Sequence, residues 1–131
     1  MNEIFEYLKK CGTFYLATMD GDQPRVRPFG AIDVFEGKIY IQTGNVKKVF
    51  AQMKINPKIE ISGMANDGSW IRVEASAIRD DRFEVRQHML DAYPSLKSMY
   101  AADDGNTEVL YLKDATATIY TFTNEPKIIK F

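Results

Sequence analysis

Apolar and polar residues alternate most cleanly between positions 70 and 77, where Ile71, Val73, Ala75 and Ala77 fall on one face and Trp70, Arg72, Glu74 and Ser76 on the other. That period of two predicts a half-buried strand. The stretch Thr13 to Met19, rich in β-formers, stops at the turn signal Asp20-Gly21-Asp22, and a second strand from Pro24 to about Val34 follows at once, so a hairpin is expected. Pro24 and Pro28 donate no ladder bond, which confines them to an edge, a bulge or a strand start. Glu36-Gly37 turns the chain into a third strand, Lys38 to Thr43; Ile59, Ile61 and Gly63 mark a fourth, and Asn66-Asp67-Gly68 is a hairpin turn before the alternating strand. Val109 to Lys113 and Ala115 to Phe122 are the last two.

The helical period shows in three places. Asn2 to Lys10 places Ile4, Phe5 and Leu8 on one face, with Asn2 as cap and Gly12 as stop. Val46, Val49, Phe50 and Met53 follow an Asn45 cap, and Asn56-Pro57 closes that helix. Asp80-Asp81 opens a third through about Ala92, with Phe83, Met89, Leu90 and Tyr93 as its inward stripe; Pro94 interrupts it. Seven strands joined mostly by tight turns, with helices inserted between them, predict a mainly β (α+β) domain: an antiparallel barrel or strongly curled sheet with peripheral helices. The small residues Ala75 and Ala77 suit the interior of a narrow barrel.

A chain of 131 residues without repeat or linker is read as one domain, 1–131, large enough to fold without staples. One cysteine, Cys11, and one histidine, His88, leave no zinc set of the Cys/His kind. The opening NEIFEYLKK lacks the layout of a signal peptide and no apolar run suits a membrane span, so the expected setting is cytoplasmic, with no membrane partner. A net charge of -1 argues against non-specific nucleic-acid binding.

Against that near-neutral background, cations gather between Gln23 and Pro57. Arg25 and Arg27 alternate and share one face of their strand, and Lys47 and Lys48 fall in the first turn of the second helix. Free N–H groups at a helix N-terminus suit an anion, and a bound phosphate would make both features favourable. Two plainer readings stay open: arginines that guard an edge strand, and lysines that simply face solvent. Trp70 is equally read as packing under a helix, with Arg72 stacked on it. His88 is expected to face solvent.

The order and spacing of QPRVRPFG (23–30), YIQTGNVKKVFAQMKINPKIEI (40–61) and SWIRVEASA (69–77) resemble the FMN-binding split-barrel family typified by pyridoxamine 5'-phosphate oxidase. AYPSLKSMYAADDG (92–105) and the ending YTFTNEPKIIKF resemble its short, single-domain branch. The resemblance implies an antiparallel split β-barrel that forms a homodimer with FMN at the subunit interface. It implies that Arg27 meets the FMN phosphate, with Arg25 beside it, and that the Pro28-Phe29 backbone lines the flavin ring. Thr43 and Asn45 would touch phosphate or ribityl groups, and Lys47 and Lys48 would add positive charge; Trp70 would pack on the flavin, and Arg72 would reach the phosphate or an acidic neighbour.

The implied activity is electron transfer from a reduced nicotinamide or another donor to a small acceptor. No catalytic side chain is required, because the flavin carries the redox chemistry. The vitamin-processing oxidases add a C-terminal segment with a Trp and an Arg; here the only tryptophan is Trp70, so vitamin B6 oxidation is not the expected activity. The alternatives are an FMN sensor or carrier without turnover, and a small barrel for another ligand such as haem.

Overall fold

In the computed structural model, which describes residues 1–131, helix α1 (Asn2–Cys11) is followed by strands β1 (Phe14–Asp20), β2 (Gln23–Phe29), β3 (Ile32–Phe35) and β4 (Lys38–Gly44). Helix α2 (Lys48–Ile55), β5 (Lys58–Met64) and β6 (Trp70–Asp80) come next, then α3 (Phe83–Ala92), a 3-10 turn (Pro94–Ser98), β7 (Thr107–Tyr120) and β8 (Lys127–Lys130). The strands form one antiparallel sheet in the order β2-β1-β5-β6-β7-β4-β3, with β8 added to β7.

The expected strand from Pro24 to Val34 is in fact two strands, β2 and β3, and they occupy opposite edges of the sheet. Only Gly30 and Ala31 separate them, so the sheet curls until its two edges nearly meet. No ladder joins β2 to β3. The barrel is therefore split at this point, and the two prolines of β2 sit on an edge strand, where a missing N–H costs nothing.

Inward residues fill the barrel. Phe14 and Leu16 of β1, Ile39 and Ile41 of β4, Ile61 of β5 and Ile71 and Val73 of β6 are buried in one cluster. Ile4 and Leu8 of α1 and Val49, Phe50 and Met53 of α2 join it, which is how these helices cover the barrel's openings. Removing one such side chain, as in Leu8→Ala, costs about 2–5 kcal/mol. A second, smaller cluster joins Val85 and Met89 of α3 to Tyr40 and Val109 on the other side of the sheet. With helices or strands on both faces, β4 is buried along Ile39–Gly44.

Several local expectations are corrected. Asn2 lies inside α1, whose cap is Met1. Lys47, not Asn45, caps α2. Arg82 caps α3, and Phe83 is half exposed because Val85, rather than Phe83, starts the buried stripe. The two strands expected after residue 109 are one, β7, bent at Asp114, where φ is +52°. Before the bend β7 pairs with β4; beyond it, with β8, a strand not anticipated. The resulting fold class is an antiparallel split barrel with peripheral helices, as expected.

Candidate functional site

Arg27 lies on the face of β2 that also carries Arg25, opposite Leu16 and Thr18 of β1. This face looks into the barrel, but at the split edge the interior opens outward. The Arg27 Nη1 donates to the Leu16 carbonyl oxygen at 3.1 Å and to Thr18 Oγ1 at 2.8 Å, and Nη2 donates to Gln52 Oε1 at 2.9 Å. Thr18 Oγ1 in turn donates to the same Gln52 oxygen at 2.6 Å. All three acceptors are neutral oxygens. Burial, with repulsion from Arg25, pulls the Arg27 pKa down from its ordinary value. A partly desolvated cation with no carboxylate partner is a strained arrangement that an incoming anion relieves.

A cavity of about 410 Å³ begins at this guanidinium. Arg27, Pro28 and Phe29 of β2, Gly30 and Ala31 at the split, Gln42 and Thr43 of β4, and Lys47 and Val49 of α2 line it; Tyr93, Ser95, Leu96, Met99 and Tyr100 form the remaining wall. Lys47, at the cap of α2, sits beside the unpaired N–H groups of the first turn. A larger depression of about 590 Å³ lies elsewhere; Glu60, Glu74 and Asp114 outnumber the one cation lining it, Lys58, which is the wrong balance for an anion.

The structure thus brings together Arg27, Pro28, Phe29, Thr43 and Lys47. It places the other expected residues outside this cavity. Arg25 pairs with Asp20 at 3.2 Å, and Lys48 is exposed on the next helical position. Asn45 donates to the Gly105 carbonyl oxygen at 2.8 Å and to Glu108 Oε2 at 3.0 Å, which holds the β4–α2 connection to the loop before β7. Trp70 stacks on Tyr120 at 5.4 Å on the outer face of the sheet. Arg72 takes the acidic neighbour, Glu60, at 3.4 Å, and lies over Tyr120 rather than Trp70. His88 is exposed, as expected, and its Nδ1 is in addition bonded to Asp33 Oδ2 at 2.5 Å.

Two contributors escaped the sequence reading, and each left a signal. Thr18 occupies the next inward position after Phe14 and Leu16, and Gln52 lies among the buried Val49, Phe50 and Met53. A polar residue at a core position needs a buried partner, and here the partner is Arg27. Of the aromatic wall, Tyr93 is on the inward stripe that the helical period predicts, while Ser95 to Tyr100 left no periodic signal.

A curled antiparallel sheet, split where two edge strands meet, with a cationic cavity at the split, defines a split-barrel domain. A family profile described as pyridoxamine 5'-phosphate oxidase matches residues 1–121, and the chain belongs to that family. Among solved structures, a NimC/NimA family protein from Clostridium acetobutylicum is 52% identical, with 100% of this chain and 92% of that one covered and a TM-score of 0.98. General stress protein 26 from Bacillus anthracis shares the fold at 18% identity, covering 98% of this chain and 97% of that one, TM-score 0.75. A haem-binding protein from Mycobacterium smegmatis does so at 15% identity, over 96% of this chain and 57% of that one, TM-score 0.74. No curated protein matches the sequence.

Proposed function

We propose that the chain is an FMN-binding flavoprotein that passes reducing equivalents from a reduced nicotinamide to a small organic acceptor, and that it works as a homodimer. The observation that carries this reading is Arg27, held by three neutral oxygens at the mouth of a cavity that also presents Lys47 and the Thr43 hydroxyl. Two cations and a hydroxyl are the donor set a phosphate monoester takes, so the residues fit the FMN phosphate. The fixed Leu16, Thr18 and Gln52 contacts orient the guanidinium before any ligand arrives, which lowers the cost of ordering it.

When bound, FMN supplies the two-electron chemistry. The protein's task is to anchor its phosphate and to keep the cavity shaped around the remainder. Two electrons and one proton leave the nicotinamide, and the acceptor gains them with a second proton drawn from water. Arg27, Lys47, Tyr93 and Tyr100 are the ionisable residues of the cavity, and none is a carboxylate or an imidazole. Haem would favour an imidazole ligand, and His88 is bonded to Asp33 outside the cavity.

The homodimer rests on the outer face of the sheet. Val26 on β2, Tyr15 on β1, Met64 on β5 and Ile128 on β8 are 68%, 50%, 66% and 62% exposed. Strand register places them on the outward face with Pro28, Trp70 and Tyr120. On this face the exposed apolar residues flank the Arg72–Glu60 pair; large exposed apolar side chains grouped around polar ones mark an interaction surface, and a second copy presents the same one, as a two-fold interface requires.

The test is an absorption spectrum of the purified protein before and after addition of FMN and desalting. Retention of the oxidised-flavin bands near one flavin per chain is the expected result; FMN that washes off freely sinks the reading. Steady-state oxidation of a nicotinamide donor, compared with free FMN at equal concentration, then separates an enzyme from a sensor or carrier.

A further inference from the structure

α2 meets the cavity with its N-terminus, and that end is held by residues that do not line the cavity. The connection from β4, Gly44 to Lys47, runs against the loop that precedes β7. Asn45 N–H donates to the Asn106 carbonyl oxygen at 2.8 Å, Val46 N–H to Asn106 Oδ1 at 3.2 Å, and Lys47 N–H to the Gly44 carbonyl oxygen at 3.1 Å. With these donors spent, the N–H groups that follow, in the first turn of α2, are the ones left for a ligand. The Asn45 side chain adds its bonds to Gly105 and to Glu108, a buried carboxylate neutralised by Arg79 at 2.7 Å. Gly44 makes the close approach possible: a methyl group on its α-carbon would come between 3.0 and 3.3 Å from the Asn106 carboxamide.

The loop has its own supports. Asp104 accepts the N–H groups of Ala101, Asn106 and Thr107 at 3.0, 2.8 and 2.7 Å, and the Thr107 hydroxyl at 3.0 Å. Asn106 is thus tied to Asp104 by its N–H and to the β4–α2 connection by its carbonyl and its side chain. We infer that Asn106 and Glu108 are positioning residues for the anion end of the cavity: they fix where Lys47 and the first turn of α2 stand, and so set affinity for a phosphate that neither residue touches. Donors held in place by a supporting layer of hydrogen bonds bind more tightly than the same donors left to find their geometry. This inference rests on the reading of that end as the FMN phosphate site.

The test compares FMN with riboflavin, which has the same ring and ribityl chain but no phosphate, by flavin fluorescence titration of the full-length protein. Asn106→Ala removes the acceptor of the Val46 N–H and is expected to weaken FMN about tenfold while riboflavin stays within about twofold. Inorganic phosphate, titrated calorimetrically into flavin-free protein, is expected to weaken with FMN. Gly44→Ala is expected to weaken FMN as well, and to have no further effect when Asn106 is already alanine, because the added methyl acts through that side chain. Equal losses of FMN and riboflavin reduce the clamp to a general support of the fold and overturn the inference. FMN and phosphate affinities unchanged in Asn106→Ala also overturn it, as do additive losses in the double variant. If the unmodified protein binds no FMN, the flavoprotein reading falls and phosphate decides: weaker phosphate binding in Asn106→Ala upholds the positioning role, and equal binding, or none by the unmodified protein, ends it.

Discussion

The Tyr93 hydroxyl closes on Ile32 twice, accepting the Ile32 N–H at 3.1 Å and donating to the Ile32 carbonyl oxygen at 2.9 Å. Ile32 begins β3, an edge strand with no ladder partner on its outer side, so the tyrosine takes the place of a neighbouring strand. The contact also fixes the start of the apolar cavity wall to the split of the barrel. Tyr93→Phe removes both bonds and is expected to cost about 1–3 kcal/mol and to weaken FMN retention. Urea unfolding followed by circular dichroism checks the first effect; an unchanged midpoint would mean that water replaces the hydroxyl.

Arg27 and Lys47 supply the charge at the anion end of the cavity. Arg27→Ala combined with Lys47→Ala is expected to abolish FMN retention while the far-ultraviolet spectrum stays that of a folded barrel. Gln52→Leu keeps both cations but removes the oxygen that holds Nη2. It is expected to weaken FMN by about tenfold, the equivalent of about 1.4 kcal/mol. FMN affinity untouched by the double substitution excludes this phosphate site.

Two carboxylates set an acid limit. Asp80 accepts hydrogen bonds from Arg82 and from the Tyr40 hydroxyl, and the Arg82 contact is the main reason its pKa falls from 3.8 to about 2. Burial alone would raise Asp104, but the backbone N–H groups of Ala101, Thr107 and Asn106 outweigh it and bring the carboxyl down to about 2 as well. A depressed folded-state pKa gives stability that is present above 3.8 and is lost as pH falls through about 2. The urea midpoint should therefore drop across that window, and Asp80→Asn with Asp104→Asn should flatten the drop. A wild-type profile already flat there contradicts the assignment.

For the proposed dimer, Val26→Glu and Met64→Glu place charges on outward positions that are 68% and 66% exposed in the single chain. The double variant should sediment as a folded monomer where the unmodified protein sediments as a dimer. Apparent thermal stability of the unmodified protein should also rise with protein concentration. Identical sedimentation of the two proteins removes this face from the interface.

What the sequence determined by itself was whatever depends on near neighbours. Period-two alternation located β6 and its two faces, turn residues located the hairpins, and the prolines narrowed their positions to an edge, a bulge or a strand start, of which the edge is the one found. The same alternation put Arg25 and Arg27 on one face, and Asp114 left its mark as the break expected between two strands.

Only the tertiary structure decided which edge each strand occupies. A two-residue break at Gly30-Ala31 is a local event, yet it sends β2 and β3 to opposite ends of the sheet because every intervening strand must pair first. That long-range closure opens the cavity at Arg27, and the pairing of β4 with β7 gives Asn45 to the loop before β7, whereas Arg25 turns to Asp20 within its own hairpin. Of two similar arginines two residues apart, the one facing a buried Thr18 and Gln52 became the anion ligand candidate, because partner identity across a sheet depends on contacts distant in sequence.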